Sequence, residues 1–408
     1  MRWWIVVAGL GLVVAGCGGE GQNPLQPAYS PGTATNFSNP VGSGALAQPL
    51  VSTPSVAHQV AGTAVLVDKV DGEKSLVLVT DRDEKDGSLN VYDLEGKAVQ
   101  RVAGLAGPVG VATKDGLKFD GEASPVVVVA ESKKSRLLVY KLDPKTSKLV
   151  DVTGSTTVFA DNKGLEAEPT DLGLYRRASD GALYAIVSRR AGPQTGYLGQ
   201  YKLTVNDDKV DAKFVRWLGQ FSGKTPTKDG QVNGVAVDDE EGAVYYADER
   251  KNLRRYHADP DDKKAADQLA VFGGDGFKGD RTGLAVYAQP KTDGYLLAID
   301  SLQGGSDVRL FRRTGKQGDT LAAVKTMADT ASGVAVTSAQ LGTKYPMGLM
   351  AVVNTTGKNV QLYDWRSVVS SAGLSRMNGG TANPASGNTG GRAPVRPNRS
   401  LASTGGGQ

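Results

Sequence analysis

Few residues in this 408-residue chain are equipped for chemistry, and their types narrow the field. There are two histidines, His58 and His257. A histidine metal centre or a Ser-His-Asp triad would have to use His257, which belongs to a turn that recurs along the chain and reads as structural. The acidic run Asp238-Asp239-Glu240-Glu241 has the density of a metal ligand set, but Gly242 follows it and the segment reads as a solvated hairpin turn. The glycines Gly273-Gly274-Asp275-Gly276 lie between strands with no helix after them, and no Walker loop occurs, so a nucleotide cradle is poorly supported. The net charge of +4 is scattered, with bases alternating with acids, which predicts a solvated surface and no nucleic-acid partner.

Whatever chemistry exists must be assembled from distant parts of the chain, and a repeat supplies the means. A short apolar strand, usually opened by glycine, recurs six times: Thr63-Ala64-Val65, Gly110-Val111-Ala112, Gly173-Leu174-Tyr175, Gly234-Val235-Ala236, Gly283-Leu284-Ala285 and Gly333-Val334-Ala335. About 20 to 30 residues after each comes a strand ending in a polar turn, as in VYDLEGK from Val91, VYKLDPKT from Val139 and LYDWRS from Leu362. A period near 50 residues with several short strands per unit predicts propeller blades. The fold class expected is all-β, a single-domain six-bladed propeller over residues 57–370. Its 53 glycines, 18 prolines and 39% hydrophobic residues suit turn-dense β structure. Such a fold gathers corresponding positions of all six repeats around one axis.

The ends are expected to lie outside the propeller. Arg2, an apolar run from Trp3 to Val14 and the small residues before Cys17 resemble a bacterial lipoprotein signal over residues 1–17. The only cysteine would then carry lipid and hold an exported protein to a membrane by acyl chains, with Gly18 and Gly19 favouring the outer membrane. Residues 18–56 read as a flexible tether and 371–408 as a disordered tail.

The folded part resembles the β-propeller phytases, a calcium-dependent six-bladed family that removes phosphate from myo-inositol hexakisphosphate. The likeness is carried by Thr80-Asp81-Arg82 with NVYDLEGK from Asn90, by Tyr184–Arg190, by VNGVAVDDEEGAVYYADER from Val232, by Gly279–Leu284 and by TSAQLGTKYPMGLMAVVN from Thr337. It implies phosphate binding by Arg82, Lys133 and Arg190, with Lys85 an alternative to Arg82. It also implies calcium ligands around the axis, of which Glu168, Glu249 and Asp280 survive, with Gln303 at a further matching position. Three scattered carboxylates could hold one calcium weakly or serve as ordinary ion-pair residues.

At Ala61, Gly62, Gly110, Asn233, Thr282 and Ser332 the family pattern calls for ligand residues, mostly acids, that this chain lacks. Each missing carboxylate removes a negative charge from a site meant for divalent cations, and a hydroxyl or amide is a weaker ligand. Two functions follow from the resemblance: a phytase of 3-phytase type with a reduced calcium site, and a non-catalytic propeller that binds an anionic ligand or a partner protein.

Overall fold

The structure is a computed structural model and describes residues 45–223, 231–248, 250–289, 294–315 and 317–374. It shows the expected six-bladed propeller, each blade a four-stranded antiparallel sheet. The chain enters on β1 (Val51–Ser52). Blade 1 is β2 (Gln59–Leu66), β3 (Leu76–Arg82), β4 (Gly87–Tyr92) and β5 (Ala98–Leu105). Blade 2 is β6 (Pro108–Phe119), β7 (Glu122–Glu131), β8 (Arg136–Asp143) and β9 (Lys148–Asp151). Blade 3 is β10 (Pro169–Arg176), β11 (Leu183–Arg189), β12 (Thr195–Asn206) and β13 (Lys209–Gln220). Blade 4 is β14 (Val232–Asp238), β15 (Ala243–Asp248), β16 (Asn252–His257) and β17 (Gln268–Phe272). Blade 5 is β18 (Asp280–Tyr287), β19 (Tyr295–Ser301), β20 (Asp307–Arg312) and β21 (Ala322–Lys325). Blade 6 is β22 (Val334–Thr337), β23 (Leu349–Asn354) and β24 (Asn359–Asp364), and α1 (Trp365–Ser371) follows it.

The apolar strands belong to blades stacked face to face. Val126, Val127, Val128 and Val129 are all fully buried, although alternate strand residues point to opposite faces. Val126 and Val128 pack with Leu172, Leu174 and Val187 of blade 3, while Val127 and Val129 pack with Leu78, Leu89 and Val91 of blade 1. A strand buried on both faces reads as a continuous apolar run. Each such valine contributes about 1.5–3 kcal/mol relative to an exposed one.

The fourth strand of blade 6 comes from the other end of the chain. β1 pairs with β24, Val51 opposite Leu362 and Ser52 opposite Gln361. The Leu50 and Thr53 amides extend the pairing to the carbonyls of Leu362 (2.8 Å) and Val360 (2.9 Å). Ala47 and Val56 are buried. Residues 45–56, expected to belong to the tether, thus lie on the propeller and clamp the approach to blade 1 against blade 6. At the other boundary α1 starts from Asp364, whose carboxylate accepts the Arg366 amide, and Leu374 is buried beyond it. Packed structure therefore continues past residue 370. Cys17 lies outside the described residues.

Candidate functional site

A polar residue stands at the end of the second strand of every blade, buried in all but blade 6, and in five of the six it fixes the chain that leads into that blade. Asp81 accepts the His58 and Gln59 amides at 2.9 and 3.0 Å, Asp248 the Ser222 amide at 2.8 Å, and Asp300 the Gly279 amide at 2.6 Å. Glu131 accepts the Ala106 amide and Asn354 the Asp329 amide. The four carboxylates also meet side chains: Asp81 the His58 ring, Glu131 Arg136, Asp248 Arg254 and Asp300 Arg309. Blade 3 departs from the pattern with Arg189, buried against the stacked rings of Phe159 and Trp217 and donating to the carbonyls of Gly196 and Tyr197.

The anchors align the innermost strands. Two residues before each anchor, its strand partners Thr63, Val111, Leu172, Val235, Leu284 and Val334, respectively. The preceding residue is Gly62, Gly110, Asp171, Gly234, Gly283 and Gly333: five glycines and one aspartate. Neighbouring blades meet here. A Cβ on Gly110 would lie 2.8 Å from the Asp171 Cα, and one on Gly283 would lie 2.7 Å from the Gly333 Cα. One position earlier stand Ala61, Val109, Thr170, Asn233, Thr282 and Ser332. Two of these hydroxyls tie adjacent blades: Thr170 donates to the Val232 carbonyl at 2.9 Å and Thr282 to the Ala331 carbonyl at 2.7 Å.

An axial cavity of about 310 Å³ is lined by all six innermost strands, including all six positions that lack the family's ligand residues. Asp171 lines it too, and no sequence signal had singled it out. The residue is half-buried, in the wall of the axial cavity. Burial pushes its pKa up to about 6, against the pull of the Val235 and Leu172 amides. The end of the cavity where β14 and β15 turn over carries Lys114, paired at 2.9 Å with Asp239.

The opposite mouth gathers the expected phosphate-binding residues from three blades. Arg82 and Arg190 follow the anchors Asp81 and Arg189, and both line the cavity. Lys133 sits on the turn after β7, where its amide bonds the Ala106 carbonyl. Lys133 Nζ reaches Glu168 Oε1 at 3.0 Å, and Arg190 reaches Glu168 Oε2 at 3.2 Å. Lys133 also meets Glu84, an acid the sequence reading passed over, at 2.8 Å. Among the described residues the Arg82 guanidinium makes no ion pair or hydrogen bond. Its pKa is lowered, first by burial and then by Arg190, with Glu168 and Glu84 opposing.

Among the described residues no three histidine, cysteine or acidic side chains come together as a metal site. Glu168 is enclosed between Lys133 and Arg190. Asp280, in blade 5, pairs with Arg250 at 3.4 Å. Gln303 is exposed on the turn between β19 and β20. Glu249 lies outside the described residues. Asp238 and its neighbours do form a hairpin turn, but their carboxylates are paired: Asp238 with Arg313 inside the protein, Glu240 also with Arg313, Asp239 with Lys114 and Glu241 with Arg255. The Gly273–Gly276 loop gives its carbonyls to Arg281.

A family model described as phytase matches residues 39–365. A 3-phytase of Bacillus subtilis (strain 168) is 27% identical over 316 residues, covering 73% of this chain and 74% of that protein. A solved luciferin-regenerating enzyme superposes with a TM-score of 0.47 at 15% identity, over 78% of this chain and 94% of that one. The family match spans all six blades and the segment that clamps blade 6, and the chain belongs to the phytase family in its β-propeller form.

Proposed function

We propose that this propeller recognises the phosphate groups of a small polyanion of the phytate class directly, through Arg82, Arg190 and Lys133. The observation that carries the reading is Arg82: a half-buried guanidinium, without an ion pair among the described residues, held beside a second guanidinium at a cavity mouth. Like charges brought together under partial burial favour an incoming anion. The planar fork of arginine suits two phosphate oxygens at once, and Lys133 adds a point charge.

Calcium is the family's cofactor, and the described residues fit it poorly. A calcium cluster needs six to eight oxygen ligands per ion. Here Glu168 already neutralises Lys133 and Arg190, Asp280 is committed to Arg250 in another blade, and the axial ring offers Asp171 as its lone carboxylate. Substrate binding in this reading therefore needs no metal. A second reading, calcium-dependent hydrolysis, is favoured by the likeness to the 3-phytase. Phosphate release from phytate, measured with millimolar calcium and with a chelator, separates the two. Release confined to the calcium arm would establish a working phytase. No release in either arm, with phytate still bound, fits recognition without turnover.

The proposal extends to location: lipid on Cys17 would hold the propeller at a membrane surface. Loss of detergent-phase partitioning in Cys17→Ser tests that step, and unchanged partitioning would refute it.

A further inference from the structure

The basic mouth carries its own competitor. Lys133 is shared by two carboxylates of different standing. Glu168 is 16% exposed and bridges Lys133 to Arg190, so its departure would strand two cations. Glu84 is 70% exposed and touches Lys133 alone. Its backbone is fixed: Asp83 Oδ1 accepts the Lys85 and Asp86 amides, each at 2.8 Å, and the Asp83 carbonyl accepts the Gly107 amide at 2.7 Å. The turn thus holds Glu84 over the site while its side chain can swing into water. An exposed pair of this kind is weak and screened by water, so it opens readily.

We propose that Glu84 is a carboxylate latch on Lys133, displaced when a phosphate group binds; this rests on the anion-site reading above. The latch lowers the affinity of every anion that must displace it by a common factor. A monoanion that displaces Glu84 exchanges one single charge for another and gains little. A phosphate dianion brings an additional charge and further acceptor oxygens to the same cations. The cations themselves favour multiply charged phosphate esters, and the latch raises the concentration that any anion needs to occupy the site.

Calorimetric titration of the full chain with inorganic phosphate and with acetate, in chelator, tests this. Glu84→Gln is expected to bind phosphate about two- to fivefold more tightly. Its acetate affinity should rise by about the same factor, because both anions displace the same carboxylate. Glu122→Gln makes the same charge change at the hairpin tip, about 30 Å along β7 from the site, and should alter neither affinity. Unchanged or weaker phosphate binding in Glu84→Gln, or an equal gain in Glu122→Gln, overturns the latch. If Lys133→Gln and Arg190→Gln also leave phosphate affinity untouched, the anion site itself is misplaced. If they weaken it while Glu84→Gln does nothing, the site stands and only the latch falls.

Discussion

The Asp171 carboxylate reaches across a blade seam to the Val235 amide, 2.8 Å from its Oδ2, at a level where the other five blades carry glycine. Gly234, with a φ of +69°, lets the facing strand receive it. The hydrogen bond favours the ionised acid, but enclosure disfavours it more strongly, and the pKa rises to about 6.

That shift makes blade closure pH-dependent. The folded protein holds the Asp171 proton more tightly than an unfolded chain, whose aspartates titrate near 3.9. Stability is therefore highest with respect to this group below about pH 4 and falls as pH rises through 6, by on the order of 2 kcal/mol. Asp171→Asn should remove that dependence and be more stable than the parent at pH 7.5, read from denaturant midpoints. An unchanged slope between pH 4 and 6.5 would show that the carboxylate is better solvated than its enclosure indicates.

The glycines beside Asp171 are fixed by distance. In Gly283→Ala the new methyl would meet the Gly333 backbone at 2.7 Å, and two main chains would have to part. A loss of about 1–3 kcal/mol is expected in chemical denaturation. Gly318→Ala, with nothing within 4 Å of the new methyl, should stay within about 0.5 kcal/mol of the parent. Equal effects at the two sites would contradict the close approach of the blades.

The sequence made the blades legible because both halves of its repeat are strands. The glycine-led segments lie in the first strands, and VYDLEGK, VYKLDPKT and LYDWRS begin in the third strands β4, β8 and β24. Arg82, Lys133 and Arg190 were likewise visible through the resemblance, and the fold brings them to one mouth. Asp171 was not. In blade 3 the eye is drawn to Gly173, and only strand register shows that Asp171, two residues earlier, holds the glycine position. Glu84 was hidden for a different reason: its partner is 49 residues away, on the next blade's turn. β1 has two residues and no periodicity to read, so the clamp vanished into what looked like linker. The seven residues of α1 were missed although Asp364 is a good N-cap.

The clamp supports a prediction about truncation. A chain starting at residue 57 would leave the β24 edge unpaired and remove buried Ala47 and Val56. It should lose on the order of 3–5 kcal/mol relative to the full chain and melt at a lower temperature. An unchanged melting temperature would mean that the first blade and the last hold together without β1.

The central claim is that Arg82 and Arg190 recognise phosphate without a metal. Its most direct test is calorimetric titration of phytate into the full chain in excess chelator, for the parent, Arg82→Gln and Arg190→Gln. The account predicts saturable binding by the parent, weakened about tenfold or more in each variant and reduced by added salt. Binding that appears only when calcium is restored, or that persists unchanged in both variants, would contradict it.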